Sequence, residues 1–579
     1  MKYTNCINIL VLIACLFLNG TLAAQFPPVQ WIKQFGGSAS EIPYTIKCTT
    51  DGGTIVAGFT DSKNGDIRHH SGRDYWDLWV VKLNKCGSIL WEQSFGGTGY
   101  ETAKDIVQTA DGGYLVLGET NSADGDVVAG YGSTRDIWVL KLTPSGQLQW
   151  QKRYGGTGLD VGNTVYALSD GNYLIAASTS SNDGDITGNH GTAGYTDGLL
   201  LKIDPDGNKL WARCFGGSRN DELMNIQVVN NKIYVAGYAN STDGDIPVNQ
   251  KNYDVWLLAT DFNGNKLFSK IYGGTQNDVA YSIAAGTNNT LTMAGYTTSN
   301  DGNVSGAKGS QDFWILNVDL NGNLKWQQTA GGTDAEFANT IINDSDGGYL
   351  VGGVSYSEDI DVADPKGQGD YWILKLNYIG QIQWKKNIGG KKNDNLHAMA
   401  FQPTLKEYYF AGDTESENGD FIKGKGDADF GIIKCKLPDT VWTDTIVCPG
   451  VAFKQITDTL KDACGYDSAI SKYRIITTNC ESAHLINADT LVVPNAFTPN
   501  GDGKNDYFGA AGKSQLTFSM QLFNRYGELI FQSNSISNRW NGVYKNKPQP
   551  TGGYVYVISY STLKNQPLIK KGTFLLIRN

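Results

Sequence analysis

Short runs of apolar and β-branched residues, each about strand length, recur along most of this chain between clusters of Gly, Asp, Asn and Ser. None sustains the period of an amphipathic helix. Residues 95–156 show the pattern most fully. Four runs follow one another there: Asp105-Ile106-Val107-Gln108-Thr109, Tyr114-Leu115-Val116-Leu117-Gly118, Ile137-Trp138-Val139-Leu140-Lys141-Leu142 and Leu148-Gln149-Trp150-Gln151-Lys152. Branched and aromatic side chains bounded by turn residues predict strands. Asp111-Gly112 closes the first pair, because Gly accepts the positive φ of a tight hairpin. Pro144-Ser145-Gly146 closes the last pair in the same way. The segment therefore predicts a four-stranded antiparallel sheet.

The unit repeats. Its Gly-Gly marker begins at Gly36, Gly96, Gly155, Gly216, Gly273, Gly331 and Gly389, and the successive differences are 60, 59, 61, 57, 58 and 58. A fixed period of this kind means a solenoid, an array or a propeller. Four antiparallel strands per repeat favour the propeller, whose radial stacking leaves only short, protected edges. Seven markers predict seven blades over residues 25–437. The segment Val29-Gln30-Trp31-Ile32-Lys33-Gln34-Phe35 reads as the fourth strand of a unit and precedes any complete repeat. The seventh unit reaches its third strand at Asp429-Phe430-Gly431-Ile432-Ile433-Lys434 and lacks a Trp-bearing fourth. The first strand is thus expected to complete the last blade and cover its open edge.

Three polar positions recur in register. An acid follows each marker: Glu41, Glu101, Asp160, Asp221, Asp278, Glu336 and Asp394. Another precedes each third strand: Asp77, Asp136, Asp197, Asp254, Asp312, Asp370 and Asp429. Between the second and third strands lies a Ser-x-x-Gly-Asp loop, from Ser62…Asp66 to Ser416…Asp420. Propeller geometry puts these loops and the marker acids on one rim, the side of a rigid scaffold where binding resides. Residues present in every blade first suggest a structural duty, since Asp and Ser cap loop N–H groups. Calcium is the alternative, with Asp126, Asp185 and Asp245 as candidate ligands, because a hard cation takes carboxylate oxygens. No other cofactor is implied.

Catalysis would appear where the repeat breaks. His69, His70 and Arg73, His190, and His397 qualify; His397 stands where other units carry Tyr44, Lys104, Asn163, Met224, Tyr281 or Asn339. No nucleophile elbow, zinc-binding helix or Cys–His constellation accompanies them, so no catalytic residue is assigned. The repeat resembles the sixty-residue propeller repeats of exported bacterial proteins. That resemblance implies a fold and no particular chemistry.

The N-terminus agrees with export. Lys2, an apolar run from Ile7 to Leu18 and Thr21-Leu22-Ala23-Ala24 predict a signal peptide over residues 1–24. Leu12-Ile13-Ala14-Cys15 offers a lipoprotein box as the alternative. No transmembrane segment is expected in the mature chain. A formal net charge of -10 argues against nucleic acid or anionic membrane as a partner. Of the cysteines beyond the signal, Cys48, Cys86 and Cys214 read as small core residues, whereas Cys435, Cys448, Cys464 and Cys480 crowd together.

Beyond residue 437 the repeat stops. Residues 438–490, with Cys448-Pro449-Gly450 and Ala463-Cys464-Gly465, resemble the small Cys-bearing β-modules that precede sorting domains; a Cys448–Cys464 bridge is one of several possible pairings. Next come Val493-Pro494-Asn495-Ala496-Phe497-Thr498-Pro499-Asn500-Gly501-Asp502-Gly503-Lys504-Asn505-Asp506, then Leu522-Phe523-Asn524-Arg525-Tyr526-Gly527-Glu528 and Pro550-Thr551-Gly552-Gly553-Tyr554. Residues 491–579 resemble the type B sorting domain of the type IX secretion system, also called the gliding-motility-associated C-terminal domain. Alternating runs between Gly, Pro and Asn turns predict a small Ig-like β-sandwich. The resemblance implies an address read by outer-membrane export machinery. Asp502 and Asp506 are further calcium candidates in an oxygen-rich loop.

The whole is expected to be an all-β protein, displayed or secreted. Its propeller would bind a polysaccharide or a surface protein; an enzyme using the aperiodic His residues and a ligand-free envelope component are the alternatives.

Overall fold

The computed structural model describes residues 25–68, 75–128, 130, 134–191, 194–247, 252–286, 288–422, 424–437, 439–447, 459–461, 464, 467–477, 491, 493–501, 505–510, 517–561 and 567–578. The expected signal peptide, Cys15, His69, His70, Arg73, Cys448, Cys480 and Asp502 lie outside them. The chain divides into two compact units, Met1–Leu437 and Pro438–Asn579.

The first unit contains seven four-stranded sheets. Their first strands are Glu41–Cys48, Glu101–Gln108, Asp160–Ala167, Asp221–Val229, Asp278–Gly286, Glu336–Asn343 and Asp394–Gln402, and the sheets are numbered one to seven accordingly. In sheet one, Glu41 pairs with Thr60, Thr60 with Asp77, and Leu78 with Phe95, so the acids and the marker loop lie along one end of the sheet. The first strand of each sheet packs on that of the next, and the seventh packs on the first. The sheets therefore form a closed, propeller-like ring.

The apolar core lies between sheets. Ile55, Ala57, Leu78 and Val80 of sheet one meet Ile106, Tyr114, Val116 and Trp138 of sheet two, and equivalent clusters recur around the ring. Both faces of each sheet are covered, which is why the second and third strands read as continuous apolar runs rather than alternating ones. The third-strand Trp is fully buried in five sheets, at Trp79, Trp138, Trp256, Trp314 and Trp372. Ring closure follows the expected route. Val29–Phe35 pairs antiparallel with Asp429–Lys436 as the outer strand of sheet seven.

Two details differ from the sequence reading. The first strand begins at the marker acid, four residues before Asp105 in sheet two, and carries a bulge at Lys104. The bulge recurs in all seven sheets, at Tyr44, Lys104, Asn163, Met224, Tyr281, Asn339 and His397. One extra residue reverses the in–out alternation, which disguised the first half of the strand. Cys86 is also more than a core filler, because it is disulfide-bonded, whereas Cys48, Cys214 and Cys435 are free thiols.

In the second unit, Asp439–Val447 runs parallel to Asp467–Thr477, with Thr459–Lys461 antiparallel on the other side. Cys464 is disulfide-bonded. A five-stranded sheet follows, with Gly552–Ser561 between Thr517–Phe523 and Pro567–Leu576. Phe508, Trp540, Tyr554 and Phe574 fill its core. A second full sheet facing this one, as a sandwich requires, is not present among the described residues; the remaining pair is the short ribbon Val543–Tyr544 with Lys547–Pro548.

One turn carries strain. Gly65, Gly125, Gly184, Gly244, Gly302 and Gly419 of the Ser-x-x-Gly-Asp loops all have φ between 63° and 75°. In sheet six that place is taken by Ile360, at φ 55° and 60% exposed. A β-branched residue in this region costs about 1–2 kcal/mol. Ile360→Gly is expected to stabilise the protein by roughly 1 kcal/mol, measured by urea denaturation, since little packing is lost.

Candidate functional site

The marker acids are fully buried, each at 0% exposure. Glu101 accepts the Gly97 N–H at 2.8 Å and the Thr120 hydroxyl at 2.6 Å; Asp221 accepts the Gly217 N–H at 2.8 Å and the Ser241 hydroxyl at 2.6 Å. The third-strand Asp of the preceding sheet approaches the same glycine. A Cβ on Gly389 would lie 2.0 Å from Asp370 Oδ1 and 3.0 Å from Asp394 Oδ2, so only glycine fits between the two carboxyls. Burial and then the neighbouring carboxylate raise these groups against the pull of their hydrogen bonds, and Asp160, Asp221, Asp370 and Asp394 are each pushed up to about 6.

The loop acids cap this arrangement. Gly96 N–H donates to Asp126 Oδ2 at 3.2 Å, and Gly216 N–H to Asp245 Oδ2 at 3.3 Å. Asp185 pairs with Lys209 at 3.1 Å, and Asp245 with Lys266. Asp126, Asp185 and Asp245 thus serve three successive sheets separately, and the fold does not gather them into one site. Asp506 accepts the N–H groups of Asn500 and Gly501 at 3.0 and 2.7 Å, bonds that tie the far side of the loop back to its start. Among the described residues, no group of three or more His, Cys, Asp or Glu side chains is placed to hold a metal ion. His190 also caps: its N–H and its Nδ1 both meet Asp197 Oδ2, at 2.7 and 2.8 Å, where Lys308 and Lys366 present their N–H to Asp312 and Asp370.

What varies from sheet to sheet lies at the ring axis. A cavity of about 470 Å³ is lined by the seven bulge residues together with the residue after each, from Thr45 and Asp105 to Ala398. The lower belt is tied across sheets. Asp105 accepts the hydroxyls of Thr45 at 2.9 Å and Thr164 at 2.8 Å. At the bulge level, His397 Nε2 lies 2.5 Å from Asp413 Oδ1, whose side chain is buried. The Tyr44 ring packs at 5.5 Å from His397, and Lys104 Nζ sits 4.7 Å over it. Burial, with Asp413 and Glu119 nearby, pushes the Tyr44 phenol up to about 12.

Sequence reasoning had His397 and its six counterparts but missed their partners. Asp413 and Glu119 occupy the position before the last residue of each second strand, where other sheets carry Phe59, Ser178, Tyr238, Tyr296 or Val354. The variation itself was the available signal. An exposed aromatic cluster was missed too: Trp76 stacks on Phe59 at 4.4 Å and 17°, and Tyr100 and Tyr75 continue from it.

Comparison with known proteins places the C-terminal segment. Residues 491–577 match the CHU_C type IX secretion signal domain. The protein is accordingly one exported across the outer membrane, to the cell surface or the medium, and it engages the type IX secretion machinery. Among the described residues no helix is long and apolar enough to cross a membrane. The regulatory protein FlaEY of Caulobacter vibrioides is 24% identical over 391 residues, covering 60% of this chain and 39% of that protein, so the match spans well under half of the relative. Among solved structures, U3-55K aligns at 9% identity over 71% of this chain and all of that chain, with a TM-score of 0.41. The RRP9 WD40 repeats align at 10% identity over 71% of this chain and all of that chain, with a TM-score of 0.40. A gluconolactonase from Xanthomonas campestris aligns at 12% identity over 59% of this chain and 90% of that one, with a TM-score of 0.29.

The carboxyl pairs make stability depend on pH. Their affinity for protons is higher in the folded chain, so the stability they contribute is complete below their ordinary value of 3.8 and is lost as pH rises through about 6. The melting temperature should fall between about pH 4 and pH 7. Asp370→Asn should flatten that fall. It keeps an acceptor for the Lys366 N–H at 2.6 Å, and it can turn an amide toward Asp394 from the Oδ1 position, which has no partner among the described residues. A variant as pH-sensitive as the parent would contradict the assignment.

Proposed function

We propose that this is an exported binding protein whose ring of sheets is a seven-bladed β-propeller and whose C-terminal domain is a type B sorting domain. The ligand is a polysaccharide or a surface protein, recognised at the loop-bearing end of the ring. One observation carries the reading. The bulge positions that line the axial cavity differ from blade to blade, as Tyr44, Lys104, Asn163, Met224, Tyr281, Asn339 and His397, whereas the acids, Ser and Gly of the rim repeat for structural reasons. A scaffold that holds its frame constant and varies one ring of inward residues is built to discriminate a ligand.

The paired His397 and Asp413 favour a second reading, an enzyme acting on polysaccharide. A buried carboxylate orients an imidazole in the manner of a general base. The mature chain, residues 25–579, should be retained on insoluble polysaccharides or bacterial envelopes without releasing soluble product. Product that disappears in His397→Ala would favour the enzyme. Retention lost in chelator would bring calcium back to the rim.

Export is tested separately. Deleting residues 491–579 should trap the remaining chain in the periplasm, seen by fractionation and surface labelling; undiminished surface display would overturn the sorting assignment.

A further inference from the structure

The charges around the axial cavity narrow the ligand class, taking the binding reading above as given. Four lining residues can carry charge, and each is already paired within the protein. Lys47 meets Asp105 at 3.0 Å. Lys104 lies 3.4 Å from Glu119, whose same oxygen is held by Arg135 at 3.2 Å. His397 faces Asp413. A charged ligand would have to compete with one of these pairs or lie beside its like-charged member in a partly desolvated site, which is costly. A neutral ligand keeps them all.

The polar lining suits hydroxyl groups. Asn163 Nδ2 donates to Leu223 O, and Asn339 Nδ2 to Leu396 O, both at 2.8 Å. A backbone carbonyl only accepts, so these bonds fix which end of each amide is the nitrogen. Both Asn side chains therefore offer their amide oxygens as acceptors for a ligand. The phenols of Tyr44 and Tyr281 add groups that both donate and accept. The lining is too polar for an apolar ligand, whose entry would strip partners from these groups.

The aromatic side chains give a direction. From Tyr44 in the cavity wall a run of ring contacts leads outward through Phe59 at 6.3 Å, Trp76 at 4.4 Å and Tyr100 at 5.3 Å. Trp76, Tyr100 and Tyr75 are 36%, 37% and 45% exposed. Large rings gathered in solvent signal a contact surface. They present flat apolar faces continuous with a pocket of neutral hydroxyl partners, a match for a chain of sugar rings with C–H faces and hydroxyl edges.

We propose that the axial cavity takes the end of a neutral glycan, with the terminal sugar among Tyr44, Asn163, Asn339 and His397 and the following residues of the glycan lying over Trp76 and Tyr100. A cavity of about 470 Å³ is within the range of small-ligand sites. A folded protein partner would touch only the mouth.

The test uses the mature chain and three soluble oligosaccharide sets of equal length: neutral gluco- and xylo-oligosaccharides, acidic galacturonate oligomers and cationic glucosamine oligomers. Affinity is read by calorimetry and by tryptophan fluorescence. A neutral oligomer should bind at least tenfold more tightly than either charged class. Trp76→Ala and Tyr44→Ala should each weaken it about tenfold or more, and Leu405→Ser, on the hairpin at the opposite end of sheet seven, should not. Melting is recorded for each variant. Trp76→Phe can keep a ring stacked on Phe59, so it should fold like the parent and retain more affinity than Trp76→Ala, which keeps the result readable if either alanine variant folds poorly. Tighter binding of a charged class, parental affinity in Trp76→Ala, or no binding of any neutral oligomer would overturn the proposal. Retention on an insoluble polymer that survives Trp76→Ala would also overturn it while leaving the binding function intact.

Discussion

Everything in the ring hangs on a buried carboxylate at the start of each first strand. Its two oxygens satisfy a marker Gly N–H, in six sheets the Ser or Thr hydroxyl that ends the second strand (sheet four has Ala239 there) and, in several sheets, the Ser hydroxyl that opens the next loop. One side chain thus fixes the loop arriving from the previous sheet to the loop inside its own. Burying the charge is costly, and the raised proton affinity of these acids measures that cost. The hydrogen bonds offset it only where the geometry holds. A marker that slips by one residue would lose the glycine that lets the two carboxyls approach, so the acid pairs specify register as well as strength.

The same device closes the ring. At the seam, Gly36 lies between Glu41 of sheet one and Asp429 of sheet seven, as Gly96 lies between Glu101 and Asp77. The outer strand Val29–Phe35 covers the last open edge of sheet seven. The seam thus repeats the interaction used at every other junction and adds one strand pairing. An open edge would otherwise invite pairing with another chain.

Much of this was written legibly. Period, strand count and closing strand follow from Gly markers and apolar runs, which report backbone needs common to all blades. The first half of each inner strand was hidden because the bulge at Lys104 and its counterparts reverses the alternation on which strand reading depends. The partners of His397 were hidden for another reason. Asp413 is 16 residues away in sequence, and a single position per blade becomes meaningful only once the register between first and second strands is known. The disulfide state of Cys86 likewise follows from spatial proximity, which spacing alone does not encode.

The bulge connects frame to function. A regular inner strand would have no residue to spare, since each would be committed either to the ladder or to the packing between sheets. The bulge leaves one residue per blade outside the ladder, and that residue can be Tyr, Lys, Asn, Met or His without disturbing its neighbours. Seven such positions face one cavity, so seven independent choices compose one surface. The asymmetry of that surface is then informative. Tyr44 contacts both Lys104 and His397, joining sheets one, two and seven, while Asn163 and Asn339 bond to the backbone of the next sheet. Residues on the far ends of the sequence therefore meet at the seam, and a site built there exists only when the ring is closed. In the proposed binding role, closure and recognition are coupled through the same few side chains, which would tie ligand binding to the integrity of the whole ring rather than to any one blade.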